Sequence, residues 1–212
     1  GYVLYAMLKK EFNFLEPFST AMGSMKFNNS ETRVKCFGVD SSNNPIASKN
    51  VEILFYNSEN DFAIKLKTKE GEEVILYKTT GENKSFEENY EEIKKKQSNY
   101  SEKTTFGKED MLKVPFIKVN DEINYDELCG REIKNSKYYI KQALQTIDFE
   151  LNNVGGSVKS EAAIDSTQKV WTEKSRKMIF DSDFILYLKE ENKEQPYFAL
   201  KVDNIDVLVP DN

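Results

Sequence analysis

The chain has 212 residues, 39% of them hydrophobic and 12% aromatic, which suffices for one large or two small domains with a buried core. Its formal net charge of -6 argues against a nucleic-acid partner, because a phosphate-binding surface needs an excess of lysine and arginine. Histidine is absent, which removes the commonest general base and metal ligand, and no apolar run reaches the length of a membrane span. We therefore predict no enzyme activity, no metal or other cofactor and no membrane contact.

The first third of the chain predicts strands. The apolar run YVLYAML opens it, EFNFLEPF follows with evenly spaced phenylalanines, and MKF and TRVKCFGV are short strand candidates. VEILFY and FAIKLK flank the turn NSEND and predict an antiparallel pair in which Phe62, Ile64 and Leu66 share one face. GEEVILYKT fits either a third strand or a helix. Because the chain begins within an apolar element, without a methionine or a cap, we expect it to be a fragment.

The rest of the chain predicts one clear helix among longer strands. SFEENYEEIKKK carries Phe86, Tyr90 and Ile93 at helical spacing, and its glutamates are interpreted as a solvated face rather than a metal or acid–base site. LKVPFIKV predicts a strand broken at Pro115, and NYDELCGREI a short helix. KYYIKQALQTIDFEL predicts a strand with one face formed by Ala143, Ile147, Phe149 and Leu151. FILYL and YFALKV predict a central hairpin. Cys36 and Cys129 lie far apart, without CxxC spacing, and predict free thiols.

The segment from Asn153 to Phe180 has the pattern of a strand and the composition of an exposed loop. Alternate positions are small or apolar, namely Gly156, Val158, Ser160, Ala162 and Ile164. The intervening positions include the charged residues Lys159, Glu161 and Asp165. Period-two alternation is typical of a half-buried strand, yet the segment begins with a glycine pair and has few bulky residues. We predict a loop that can enter a sheet under some circumstances.

Six segments, taken in order, resemble the serpins, a family of serine-protease inhibitors. YVLYAMLKKEFNFLEPF is similar to the family's central-sheet strand, with Tyr5, Ala6 and Phe14 at the positions of its Asn, Ala and Trp. NVEILFYNSENDFAIKLK resembles the family's strand pair that begins with a Leu-Pro-Tyr turn. LKVPFIKVNDEINYDEL resembles the family's segment with Pro-x-Phe-x followed by Tyr-Asp-Leu. ALQTIDFELNNVG resembles the family's approach to the hinge. FDSDFILYL and QPYFALKV resemble its two closing strands.

The residues that carry the last four matches are Pro115, Phe116, Tyr125, Asp126, Leu128, Phe149, Glu150, Leu151, Asn152, Gly155, Phe180, Phe184, Pro196, Phe198 and Val202. The chain departs from the family pattern at Gln145, Asn153, Asp183 and Leu200, which stand where the family has His, Glu, Pro and Gly. The alanine-rich hinge of the family is reduced to Ala162 and Ala163. These departures bear on inhibitory activity more than on the fold.

The resemblance implies an α+β, predominantly β, fold with serpin-like mixed sheets and few helices. Residues 1–212 would form the C-terminal portion of a single domain, with the N-terminal helical part of the fold missing from this chain. That N-terminal portion would then be a partner if the protein is cut.

By the same resemblance, residues 153–180 form a reactive-centre loop with hinge residues Asn153, Gly155, Gly156, Val158, Ser160 and Ala162. In the family a protease attacks this loop, forms an acyl-enzyme, and is trapped as the cut loop inserts into the central sheet. Counting from Gly155 by the family's spacing gives the scissile bond Lys169–Val170, and Lys174–Ser175 and Arg176–Lys177 are alternatives. Each bond follows a basic residue, which implies a trypsin-like serine protease as partner.

Two other functions stay open at this point. A non-inhibitory serpin-like binding or carrier protein would share the fold but trap no protease, and an unrelated β-rich surface or adhesion protein would share neither. Three Asn-x-Ser sequons, at Asn28, Asn83 and Asn99, favour an extracellular or secreted location.

Overall fold

The structure is a computed structural model that describes residues 2–81, 83–136, 139–155 and 175–212. Its strands are Tyr2–Lys9 (β1), Met25–Lys26 (β2), Arg33–Val34 (β3), Cys36–Val39 (β4), Val51–Ser58 (β5), Asp61–Lys67 (β6), Glu72–Lys78 (β7), Met111–Pro115 (β8), Ile117–Asn124 (β9), Ile140–Leu151 (β10), Lys177–Ile179 (β11), Phe184–Glu190 (β12) and Phe198–Val202 (β13). The helices are Phe86–Asn99 (α1) and the 3-10 turns Pro45–Asn50 and Asp126–Leu128. The fold is mostly β with mixed sheets, as predicted.

The largest sheet has five antiparallel strands in the order β13-β12-β7-β6-β5. The hairpin β5–β6 and the hairpin β12–β13 both form as predicted, and GEEVILYKT adds the strand β7 between them. Phe62, Ile64 and Leu66 are fully buried on one face. The hairpin β12–β13 is less central than predicted, because β13 lies at the sheet edge and only its last residue, Val202, is buried.

The α1 helix covers the other face of this sheet. It begins with a capping box, in which the Ser85 hydroxyl accepts from the Glu88 backbone and the Glu88 carboxylate accepts from the Ser85 backbone. Tyr90 and Ile93 are buried against the sheet, whereas Phe86, at the start of the helix, is exposed. None of the helices in the described ranges is long and apolar enough to cross a bilayer.

A second sheet has the order β1-β10-β9 and carries the site described below. Strand β1 runs parallel to β10, with register from Val3 opposite Gln142 to Lys9 opposite Asp148. Strand β9 runs antiparallel to β10, with Leu151 opposite Ile117. Ala143, Phe149 and Leu151 of β10 are buried on one face, as the alternation predicted, and Ile147 packs partly buried against the same core.

The predicted break at Pro115 separates two sheets. Strand β8 ends at Pro115 and pairs with β4 and β11, whereas β9 begins at Ile117 in the sheet of β10. The segment NYDELCGREI contains only the 3-10 turn Asp126–Leu128, which is shorter than the predicted helix. Cys36 and Cys129 are free, as predicted, with Cys36 buried and Cys129 exposed.

Candidate functional site

The chain reverses direction immediately after β10, at a turn formed by residues 152–155. The Asn152 backbone N–H donates to the Gly155 carbonyl at 2.8 Å, and the Gly155 N–H donates back to the Asn152 carbonyl at 3.3 Å. This reciprocal pair is that of a two-residue β-hairpin, with Asn153 and Val154 at the turn. The Asn152 side chain fixes the turn by accepting from the Val154 N–H at 3.0 Å.

Gly155 lies between the two chain segments that extend β1 and β10. It forms antiparallel bridges to Asn152 on one side and to Asn13 on the other. Its φ of +128° suits glycine, and a Cβ here would lie 2.3 Å from the Phe12 carbonyl oxygen. The parallel pairing of β1 with β10 ends below this point, at Lys9 opposite Asp148. Gly155 therefore pairs antiparallel with both neighbouring segments, just beyond the end of the parallel pairing of β1 with β10. We call the line along which β1 and β10 pair the seam.

Asn13, on the β1 side of Gly155, is held in place by Glu70. The Glu70 carboxylate accepts from the Asn13 backbone N–H at 2.8 Å and from the Asn13 side-chain amide at 2.9 Å. Although partial burial raises the pKa of Glu70, the hydrogen bonds from Asn13 outweigh it and the pKa lies below its ordinary value. The Asn13 carbonyl accepts from the Lys69 N–H at 2.8 Å.

An aromatic cluster lies beneath the turn. Phe12, Phe14, Phe18 and Phe149 are each at most 2% exposed. The rings of Phe14 and Phe18 meet edge to face with centroids 4.9 Å apart. The Phe14 N–H donates to the Val154 carbonyl at 2.9 Å, and the Phe18 N–H donates to the Asn153 carbonyl at 2.8 Å. The turn is thus attached by its backbone to a rigid apolar base.

At the opposite end of the predicted loop, Arg176 is held by its side chain. Its Nε donates to Asp110 Oδ1 at 3.2 Å and its Nη2 to Asp110 Oδ2 at 2.7 Å, the forked geometry of a strong ion pair. The remaining guanidinium hydrogens donate to the Tyr100 hydroxyl and to the carbonyls of Lys103 and Thr105. All five guanidinium donors are therefore engaged.

Burial makes this ion pair a firm attachment. The side chains of Arg176 and Asp110 are 12% and 4% exposed. Asp110 also accepts from the Arg176 backbone N–H at 3.1 Å and from the Gly107 N–H at 2.6 Å. Although burial lowers the pKa of Arg176, the hydrogen bond to Asp110 outweighs it and raises that pKa, so the guanidinium stays charged.

The three residues after Arg176 form β11, which pairs in parallel with β8. The Arg176 carbonyl accepts from the Met111 N–H at 3.0 Å, and the Met178 side chain is fully buried. Lys78 secures the far end of this strand, because its ammonium donates to the Ile179 carbonyl at 2.9 Å and to Asp181 at 2.5 Å. The Lys78 side chain is 5% exposed, whereas that of Asp181 is 50% exposed.

The predicted site residues that the structure describes lie at two places. Asn153 and Gly155 lie in the turn at the seam, and Ser175, Arg176 and Lys177 lie at the other end of the predicted loop. The rest lie outside the described residues, namely Gly156, Val158, Ser160, Ala162, Ile164, Lys169, Val170 and Lys174. No local pattern pointed to Asp110, Asn13 or Glu70, because each meets its partner across a long stretch of chain.

No protein-family model and no curated protein matches the sequence. Solved structures do match. Serpin48 of the insect Tenebrio molitor is 16% identical, with a TM-score of 0.59, over 94% of this chain and 55% of its own. Human kallistatin is 12% identical, with a TM-score of 0.63, over 94% and 55%. Thyroxine-binding globulin in complex with thyroxine is 13% identical, with a TM-score of 0.60, over 92% and 54%.

The chain has a partial serpin fold. It spans a little over half the length of the serpins it matches, and the fold is not that of an unrelated β-rich surface protein. Since sequence identity is low throughout, the comparison bears on the serpin fold alone.

A cavity of about 220 Å³ lies at the start of α1, away from the seam. Phe86 of the helix and Phe184 and Ile185 of β12 supply its apolar lining, and its charged lining residues are Lys84, Lys201 and Asp183. The volume is below the range typical of sites for drug-sized ligands.

Proposed function

We propose that this chain is part of a serpin-type inhibitor that traps a trypsin-like serine protease. The observation that carries the proposal is the position of Gly155, which already pairs antiparallel with the extensions of both β1 and β10. A segment that follows Gly155 and enters the seam has only to continue this pairing. The serpin fold is typically non-enzymatic, in keeping with a role as inhibitor rather than catalyst.

The register at the seam supports the same proposal. Continuing both bridges residue by residue sets position 158 opposite Phe149, position 160 opposite Ile147 and position 162 opposite Gln145. The same positions fall opposite the β1 residues that β10 itself pairs with, so one inserted strand satisfies both neighbours. Side chains directly opposite each other share a face. Since Phe149 is buried, Val158, Ser160 and Ala162 would turn inward, and Lys159 and Glu161 toward water.

The proposed reaction begins as ordinary proteolysis and stops half-way. The protease serine attacks the carbonyl carbon of Lys169 or Lys174, an ester bond forms, and the peptide bond to Val170 or Ser175 breaks. The serine proton reaches the departing amine through the protease histidine. The freed segment then enters the seam, breaking the β1–β10 pairing and making two new antiparallel pairings. Insertion carries the protease away before water can cleave the ester.

Denaturing electrophoresis of the full-length protein after incubation with trypsin-like proteases tests this function. We expect a band of the summed mass that survives boiling in detergent, and its loss in a Lys169→Ala or Lys174→Ala variant identifies the bond. Cleaved protein without any covalent complex would refute the inhibitor. A second readout is the melting temperature, which insertion raises strongly after cleavage of the loop.

A carrier function is the second candidate, and the cavity at the start of α1 favours it. At about 220 Å³ it has room only for a small ligand, and its lysines and aromatic rings suit a compact amphipathic anion. Isothermal titration with benzenesulfonate, which has a single ring, tests this, with Lys201→Ala expected to weaken binding about tenfold if Lys201 pairs with the sulfonate. Unchanged binding in Lys201→Ala would remove this candidate, and the inhibitor assay is unaffected by either outcome.

A further inference from the structure

The segment Ser175–Lys177 contains Arg176, a possible cleavage site for a trypsin-like protease. The side chain and the carbonyl of Arg176 are both hydrogen-bonded within the protein. A protease that cleaves after arginine must take the guanidinium into its own acidic pocket and the arginine carbonyl into its oxyanion hole. In this chain the Arg176 guanidinium is bound to Asp110 through two of its nitrogens. The Arg176 carbonyl is bound to the Met111 N–H.

The residues on the other side of the Arg176–Lys177 bond are also engaged. Lys177 begins β11 and pairs with Met111, and its backbone N–H donates to the Tyr56 hydroxyl at 3.3 Å. Two positions further on, the Ile179 carbonyl accepts from Lys78. Cleavage after Arg176 therefore requires the side chain, the scissile carbonyl and the following strand to be released together.

We propose that the Arg176–Asp110 contact is a clasp that withholds Arg176 from trypsin-like proteases and so confines cleavage to lysines nearer the hinge. The clasp acts as a specificity device by exclusion, since Arg176 would otherwise be the most attractive residue for such an enzyme. Its value to an inhibitor rests on the proposed function, because a cut upstream of Arg176 leaves the far end of the loop held by the clasp as well as by the pairing of β11 with β8.

Local opening must precede cleavage at a protected bond. The cleavage rate is therefore proportional to the population of the open form, and it decreases when that population decreases. Charge-assisted hydrogen bonds of this kind lower that population about tenfold to a hundredfold. Breaking the clasp without removing the basic residue should raise the rate of cleavage after Arg176 by that factor.

Timed digestion of the full-length protein with trypsin, read by mass spectrometry for the new N-terminus at Lys177, tests the clasp. Wild type should be cut upstream of Ser175 first, and Asp110→Asn should gain the Lys177 N-terminus at least tenfold faster. Arg176→Lys tests the same point differently, because lysine remains a trypsin site but cannot form the fork. The matched control is Asp183→Asn, an exposed aspartate that accepts from Asn28 instead.

Each outcome decides the proposal. Rapid cleavage after Arg176 in wild type, or equal rates in wild type and in Arg176→Lys, would overturn it. A parallel digestion with chymotrypsin would detect global unfolding of Asp110→Asn, because the buried phenylalanines would then be cleaved. In that case the comparison of wild type with Arg176→Lys decides the proposal. Protection of Arg176 without any covalent protease complex would leave the clasp standing while the inhibitor function fails.

Discussion

The two ends of the predicted loop are attached to the molecule by different forces. At residues 152–155 the attachment is a backbone turn, held by main-chain hydrogen bonds and placed between two strands by a glycine. At residues 175–181 the attachment is made by two cations, the mostly buried Arg176 on the segment itself and the buried Lys78 beneath it. A backbone ladder can be extended residue by residue, whereas an ion pair either holds or breaks. The first end is thus suited to growth of a strand and the second to staying fixed.

Asp110→Ala should produce the largest loss of stability. It leaves the mostly buried Arg176 guanidinium without its counter-charge, which costs about 3–5 kcal/mol of unfolding free energy. Urea denaturation followed by circular dichroism measures the change. Asp183→Ala, at an exposed position, serves as control and should cost less than about 0.5 kcal/mol. If both variants lose the same unfolding free energy, the ion pair does not fix the C-terminal end of the predicted loop.

Gly155→Ala tests the other end and should cost about 2–3 kcal/mol. The new methyl group would lie 2.3 Å from the Phe12 carbonyl oxygen, and the positive φ adds strain. Gly130→Ala is the matched control, since Gly130 also has a positive φ, +80°, but no atom lies within 4 Å of the place its methyl group would take. It should cost only about 1 kcal/mol. Equal losses in the two variants would mean that the seam has room for a side chain.

Lys78→Met should have a smaller effect than Asp110→Ala, although Lys78 is also buried. Its partner Asp181 is half exposed and keeps its contact with water when the ammonium is removed. Methionine also relieves the burial of a charge, so we expect a loss of at most about 1 kcal/mol in the same urea experiment. A loss as large as that of Asp110→Ala would make Lys78, and not Arg176, the main tie of this end.

Acid should weaken the helix that leads into the clasp. The Lys84 ammonium, together with Lys96, lowers the pKa of Glu92 on α1 to about 2, from about 4.5 in the unfolded chain. The stabilisation is therefore complete above pH 4.5 and is lost as the pH falls toward 2. Allowing for solvent screening, it amounts to about 1 kcal/mol.

Urea unfolding at several pH values between about 5 and 2 measures this loss, and Glu92→Gln should flatten the curve in that window. Glu70, which holds Asn13 at the seam, also has a lowered pKa, so Glu70→Gln reports the acid response of the other end. We expect the smaller response from Glu70. A larger loss of stability in acid from Glu70 than from Glu92 would show that the seam, and not the end near Arg176, is the more acid-sensitive end of the loop.

Much of the fold followed from local pattern. Period-two alternation predicted β5, β6 and the buried face of β10, helical spacing predicted α1, and Pro115 predicted the break between β8 and β9. The pattern failed where context decides the outcome. β13 is as apolar as β12 yet lies at a sheet edge, and NYDELCGREI has helical composition but forms a single 3-10 turn.

The candidate site divides in the same way. The alternation after Gly155 and the basic residues up to Lys177 were visible in the sequence, because hydrophobic period and charge are local properties. The bridges of Gly155 to both neighbours, the grip of Glu70 on Asn13 and the pairing of Asp110 with Arg176 were not. Each depends on residues that are distant along the chain, and only the folded arrangement of the strands brings their atoms within hydrogen-bonding distance.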